Sequence, residues 1–423
     1  MDIDGKEDSI EELKGLRITP LDDDDDDDDE EIAVDDDEDD DEEEEAVILG
    51  FVEKPQHSWS VLRQQFPSKA GGVPAWLDAY NLPSGMSCVC DICGQPLQFV
   101  LQVYAPLVEK DSTFHRTLFV FMCLSMKCLQ RDQHEQWKRH PEKQSRSVKV
   151  FRCQLPRANT FYSNEPPKGN ATDKPLTPGA PLCNWCGTWK GDKFCSSCKI
   201  ARYCSQKHQA MHWHSGHKLE CQQLRLSPQS SDCNACDGGI TEIRAQKVAS
   251  KTLWPEYEIK NEHESDYDTE MSGDDGHTNN SLVSRNRIDD SMKSLMDNFE
   301  GDADKKSWAS FQERIANSPE QVLRYCRSAS SKPLWPMSGG RPSKADIARC
   351  SYCGGLLCFE FQILPQLLYY FGVKDEDHSL DWATIVVYTC EASCEGIDYS
   401  CLYGLGLESQ VASSSREPIL PQS

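Results

Sequence analysis

Five Cys-x2-Cys pairs punctuate this chain, at Cys90/Cys93, Cys183/Cys186, Cys195/Cys198, Cys233/Cys236 and Cys350/Cys353. With 21 cysteines in 423 residues, roughly one such pair arises by chance. The excess points to metal, because two thiols on one tight turn present two ligands to one tetrahedral ion. The other use of many cysteines, disulfide formation, needs an oxidising compartment. The N-terminus, Met1-Asp2-Ile3-Asp4, has neither the basic start nor the apolar stretch of a signal peptide. No apolar run approaches the roughly 18 to 20 residues that cross a bilayer. The expected setting is therefore cytoplasmic and nuclear, with the cysteines reduced and no membrane partner.

The central spacing is the most specific. It reads Cys183-x2-Cys186, eight residues, Cys195-x2-Cys198, five residues, Cys204-x3-His208, eight residues, His217-x3-Cys221. Eight ligands in four pairs make two tetrahedral zinc sites with no open position, the structural rather than the catalytic arrangement. Cys204/His208 and His217/Cys221 are spaced i, i+4, so each pair projects from one face of a helical turn. His212 and His214 are close enough to compete with His217. A segment this short cannot stabilise itself by burial, so the metal must supply folding free energy.

An internal echo links the two ends of the chain. Cys90, Cys93, Gly94, Leu97, Phe99 and Gln102 recur as Cys350, Cys353, Gly354, Leu357, Phe359 and Gln362, all displaced by 260 positions. Downstream, Val120-Phe121-Met122-Cys123 with Cys128 resembles Val387-Tyr388-Thr389-Cys390 with Cys394. One four-thiolate site per half is expected, from Cys90, Cys93, Cys123 and Cys128 and from Cys350, Cys353, Cys390 and Cys394. Cys88 is a rival for Cys90, although the constant offset favours Cys90. Cys233/Cys236, Cys153 and Cys326 read as idle or buried thiols. The glycine after each knuckle suits a turn with positive φ. Phe99, Leu101 and Val103 alternate with Val100, Gln102 and Tyr104, which predicts a strand with one well-buried face.

Charge is very uneven. Between Asp22 and Glu45, 21 of 24 positions are acidic, in a chain of 70 acidic residues and net charge −26. Like charges at that density repel along any helix or strand, so the tract is expected to be disordered. The fold class is then mostly β with small zinc-binding modules: two repeated zinc-knuckle β domains, an inserted zinc finger, and disordered acidic and polar segments. The expected boundaries are an acidic tail over 1–46, a first β domain over 47–165 and a finger over 183–221. A mostly disordered linker follows over 222–305, and a second β domain over 306–411.

Basic residues near the finger are scattered, and the one basic stretch, Arg131 to Lys149, reads as a solvated loop, so direct nucleic-acid binding is not expected. The chain has no P-loop, dinucleotide fingerprint or His-Glu-x-x-His helix, and no enzymatic activity is expected.

Tyr203-Cys204, Gln209, Trp213 and the closing His217-x3-Cys221 resemble a MYND zinc finger, with His208 standing where many such fingers have cysteine. That resemblance implies interleaved ligands. Cys183, Cys186, Cys204 and His208 would hold one Zn2+, and Cys195, Cys198, His217 and Cys221 the other. Leu49-Gly50-Phe51-Val52-Glu53, Phe66 through Leu77, Leu101 through Leu107 and Gln154-Leu155-Pro156-Arg157 resemble the N-terminal half of the programmed cell death protein 2 family. Pro319 through Arg327 and Phe359 through Leu368 resemble its C-terminal domain. Tyr399 through Gly404 depart from the strand that usually closes that domain. The resemblance implies a non-enzymatic chaperone of a newly made basic ribosomal protein of the small subunit, supporting ribosome biogenesis. The rival reading is a nuclear MYND-finger adaptor binding transcriptional co-regulators.

Overall fold

The apolar runs of both halves pair into a single antiparallel sheet of nine strands. The computed structural model describes residues 46–136, 145–226, 248–268 and 303–395, the last span apart from positions 329, 339, 340, 344, 375 and 377. The acidic tract, Cys233/Cys236, residues 137–144 of the basic stretch and the atypical segment 399–404 lie outside these residues. In chain order the strands are β1 (Ile48–Glu53), β2 (Lys69–Ala70), β3 (Gln98–Tyr104), β4 (His115–Met122) and β5 (Val148–Leu155), with a small hairpin of β6 (Lys193–Phe194) and β7 (Arg202–Tyr203). They continue with β8 (Tyr257–His263), β9 (Leu323–Tyr325), β10 (Leu357–Ile363) and β11 (Ile385–Cys390). The large sheet runs β11-β10-β9-β1-β8-β2-β3-β4-β5.

The two halves are built alike. In one, Phe99 faces Phe121 and Leu101 faces Val120, with the register shifting between them; in the other, Phe359 faces Tyr388 and Phe361 faces Val387, with the same shift. This bulge breaks the alternation expected from sequence, because an extra residue turns the side chains that follow to the other face. Phe99 therefore enters one core while Leu101 and Val103 enter another. Both faces of β3–β5 are buried, not one: Phe119, Phe121 and Phe151 point to the first core, Leu118, Val120 and Val150 to the second.

The expectation of two separate β domains gives way to an exchange of strands. Lys69 of β2 and Arg324 of β9 occupy equivalent places, opposite Gln102 and Gln362. On their other sides, Lys69 faces Glu258 of β8, whereas Arg324 faces Leu49 of β1. Each half thus lends its first strand to the other, and β1 and β8 pair along six positions from Ile48↔His263 to Glu53↔Glu258. β8 lies inside the expected linker of 222–305. Its sequence, Tyr-Glu-Ile-Lys-Asn-Glu-His, buries only Ile259 fully, and the strand is held by backbone pairing to β1 and β2.

The sheet also closes on itself. Arg116 on β4 makes a buried two-pronged ion pair with Glu360 on β10, Nη2 lying 2.7 Å from Oε2. Leu101, Val103, Leu118 and Val120 share one core with Phe361, Ile363, Ile385 and Val387. These faces of the two halves are packed against each other. The helix Ala303–Ala316 adds Phe311 and Ile315 to a small cluster around Leu364. Residues 165–182 have no regular structure, yet they are fastened: Leu176 N–H donates to Phe161 O at 2.8 Å and Gln65 Nε2 donates to Asp173 at 2.9 Å.

Candidate metal centres

Among the described residues, sixteen side chains come together in four sets of four. They are Cys90, Cys93, Cys123 and Cys128; Cys183, Cys186, Cys204 and His208; Cys195, Cys198, His217 and Cys221; and Cys350, Cys353, Cys390 and Cys394. Within each set the ligand atoms all lie within 4.8 Å of one another. A regular tetrahedron with metal–sulfur bonds of about 2.3 Å has edges of about 3.8 Å. The pairs fit that figure: Cys93–Cys123 is 3.6 Å, Cys186–Cys204 3.9 Å, Cys195–Cys221 3.8 Å, Cys350–Cys394 3.5 Å and Cys353–Cys390 3.6 Å. The interleaving within the finger is the one the resemblance implied. Cys88 belongs to no set.

Local structure explains how each ligand is aimed. The four knuckles among the described residues close in the same way, Gly94, Gly187, Lys199 and Gly354 each donating a backbone N–H to the carbonyl of the first cysteine of the pair at 2.8 Å. The closing residue is left-handed in every case, with φ of +68°, +64°, +59° and +70°. That conformation suits glycine, and Lys199 adopts it with a side chain. The second pair of each half follows the strand that pairs with the knuckle's own strand: Cys123 directly after β4 and Cys128 in the helix α1 (Met126–Gln136), Cys390 ending β11 and Cys394 four residues on. In the finger, Cys204 follows β7 and His208 sits in α2 (Gln206–His212), which Ser205 caps by accepting from the His208 N–H at 3.1 Å. Cys221 lies in α3 (Lys218–Leu226).

The two histidines present different nitrogens. His208 turns Nδ1 towards Cys204 and Cys183, at 3.1 and 3.8 Å, while His217 turns Nε2 towards Cys198 at 3.7 Å. His217 Nδ1 lies 3.7 Å from Glu220, an outer carboxylate of the kind that fixes a ligating imidazole. His212 is a supporting residue: its Nδ1 meets the Tyr203 hydroxyl at 3.0 Å and its ring stacks on His217. His214 is exposed.

Donors this crowded do not titrate independently. Hydrogen bonds from Cys186 and Cys204 hold Cys183 far below the ordinary thiol range, outweighing its burial, while Cys183 and Cys186 drive Cys204 far upward. In the last set, burial raises Cys390, but bonds from the Cys394 backbone and the Cys353 thiol prevail and bring it to about 7. A dication resolves such crowding by taking every donor in its deprotonated form. The finger and the two cysteine sets could each bind zinc, and none has an open protein-ligand position.

The finger is not an appendage. Trp189 lies 4.4 Å from Phe121 and 5.9 Å from Trp76, ring to ring, and its indole N–H donates to Leu97 O at 2.9 Å. Trp76 donates in return to Thr188 O at 2.7 Å. The buried ligands Cys183, Cys186, Cys195 and Cys198 belong to the same core as Phe99 and Phe119. Sequence spacing named the side chains that the fold brings together in these sets but missed the anchors Trp76 and Trp189, whose only signal was tryptophan on or near a short Cys/His-rich segment.

Family models match three stretches of the chain: the programmed cell death protein 2 N-terminal domain at 46–169, the MYND finger at 183–221 and the programmed cell death protein 2 C-terminal domain at 305–403. Programmed cell death protein 2 of Bos taurus is 37% identical over 360 residues, which span 83% of this chain and 93% of that relative. The chain belongs to the programmed cell death protein 2 family. The Rattus norvegicus protein is 37% identical over 362 residues, covering 84% of this chain and 94% of its own length. Programmed cell death protein 2-like of Homo sapiens is 29% identical over 381 residues, covering 82% and 91%. No solved structure matches the chain at a significant level. Among the described residues, no helix is long and apolar enough to cross a membrane.

Proposed function

We propose that this member of the family is a non-enzymatic, zinc-stabilised chaperone of the cytoplasm and nucleus that holds a newly made basic ribosomal protein of the small subunit. In this reading four Zn2+ ions act as structural ties, two in the finger and one in each half. All sixteen ligands stand in closed sets of four, which suits structure and leaves no protein-ligand position for a substrate. The observation that carries the client's chemistry is the acidic tract, 21 acidic residues in 24, which leads after two residues into β1 at the middle of the sheet. Such a field attracts Lys/Arg-rich chains at low ionic strength and is screened by salt. Because the interior of the sheet is filled, the client binds on the outside.

Capture from cell extract followed by mass spectrometry tests the reading. The full chain is expected to retain a basic ribosomal protein of the small subunit, and a chain lacking residues 22–45 to retain several-fold less, with a flatter salt dependence and an unchanged melting temperature. Equal capture by both chains would remove the tract from the account. The adaptor reading has its own support in a cleft of about 360 Å3 between the first knuckle and the finger, lined by Pro96, Leu124, Trp185 and Met211 with Lys207 at its side. Recovery of transcriptional co-regulators in place of ribosomal protein would favour it.

A further inference from the structure

The thiolate set of the C-terminal half is gripped from the other half. Residues 390–394, which carry Cys390 and Cys394, lie against β4, β5 and the turn before β4. Lys110 Nζ donates to the carbonyls of Ala392 and Ser393 at 3.2 and 3.1 Å. Arg116 Nε donates to the Ser393 hydroxyl at 3.1 Å, and that hydroxyl donates to Gln154 at 2.6 Å. Arg152 donates through Nη2 to Cys394 O at 2.6 Å, with the same nitrogen 4.0 Å from Cys394 Sγ. Arg152 is only 4% exposed, and its Nη1 is buried with no hydrogen-bond partner among the described residues.

A buried guanidinium without its full set of partners is costly unless a negative charge lies near. Zinc bound by four thiolates carries a net charge of −2, and Arg152 stands beside it. We propose that Arg152 of the N-terminal half is the outer-shell counter-charge of the Cys350/Cys353/Cys390/Cys394 centre, so that this zinc, once bound, clasps the two edges of the sheet together. The inference rests on the zinc reading of that set given above and is independent of the client. The ion fixes the 390–394 turn by holding both of its cysteines; the turn then offers Lys110, Arg116 and Arg152 their acceptors. Arg152 is a positioning residue, not a ligand.

Zinc release from the full-length, zinc-loaded chain to a chromogenic chelator tests this. The release phase abolished by Cys350→Ser belongs to this centre. Arg152→Met is expected to speed that phase alone by roughly 10- to 100-fold, the range for lost outer-shell partners, and Arg152→Lys to restore most of the retention by keeping the charge. Lys110→Ala, which removes two bonds to the same turn at an exposed position, is expected to speed it to a smaller degree even if Arg152→Met fails to fold. Hydrogen exchange in the Cys350→Ser chain is expected to rise in β4 and β5 as well as in residues 350–395. If no release phase depends on Cys350, the zinc reading of the set fails and the clasp with it. If the phase exists but neither Arg152→Met nor Lys110→Ala moves it, or exchange rises only within 350–395, the clasp alone is overturned.

Discussion

A fusion of residues 47–165 to residues 306–423 through a flexible linker is expected to be unfolded and prone to aggregate. The sequence pattern predicts the opposite, two repeated β halves that, once joined, survive loss of the finger and the polar segment between them. The structure removes both supports of that idea. The cut discards β8, which pairs with β1 on one side and β2 on the other, and so divides the sheet at its centre. It also uncovers Trp76, Phe119 and Phe121, each at most 3% exposed and packed against the finger or its neighbours. Losing the contacts of one buried large aromatic costs about 3–5 kcal/mol, and a domain holds only about 5–15 kcal/mol in reserve. Circular dichroism and thermal melting decide it, and a cooperative transition close to that of the parent chain would contradict the fold described. The same packing alters the expectation for Cys198→Ser, which on sequence grounds unfolds the finger alone; since Cys198 and Trp189 share a core with Phe121, destabilisation is expected to spread into β3–β5.

Glu360→Ala is expected to destabilise the chain by about 3–5 kcal/mol, the range for removing one partner of a buried ion pair. It strands Arg116, whose side chain is 0% exposed. It also removes the acceptor of the Tyr325 and Thr389 hydroxyls. Replacing both charges, as in Arg116→Met with Glu360→Met, is expected to cost much less, because neither charge is then left buried. Denaturant melts of the single and double variants measure the difference, and a Glu360→Ala effect below about 1 kcal/mol would mean that water reaches the pair. Burial alone would raise the Glu360 carboxyl, but Arg116 outweighs it and holds the group below its ordinary value. A carboxyl lowered in the folded state adds stability that is complete above its unfolded pKa, about 4.3 for glutamate. That stability is lost as pH falls through the lower folded value. The wild-type chain is thus expected to lose stability below about pH 4 in part through this pair, and the double variant to lose less there.

What the sequence revealed depended on how local each constraint is. A knuckle needs two cysteines and a left-handed residue within five positions, and Cys90 to Gly94 and Cys350 to Gly354 display all of it. The grouping of distant ligands followed from the repeat: the 260-residue offset ties Cys90 to Cys350, and the resemblance of Val120-Phe121-Met122-Cys123 to Val387-Tyr388-Thr389-Cys390 downstream ties Cys123 to Cys390. The strands around Phe99 and Phe359 were legible for the same reason, but their bulges were not, since an extra residue in a ladder is set by the partner strand. β8 was hidden because a strand paired on both sides needs little apolar content of its own, and Lys260, Asn261 and Glu262 read as linker. The exchange of β1 and β8 was hidden because alternation marks a strand without naming its neighbour. The Arg116–Glu360 pair spans 244 positions and leaves no periodic trace.

The central claim, four closed metal centres of which one stands in each half of a single sheet, is tested most directly by elemental analysis of the purified full-length chain. Zinc at close to four ions per chain is expected, falling to three in the Cys350→Ser chain and to three in Cys90→Ser. Two ions per chain, unchanged by either substitution, would confine the metal to the finger and contradict the thiolate centres in both halves.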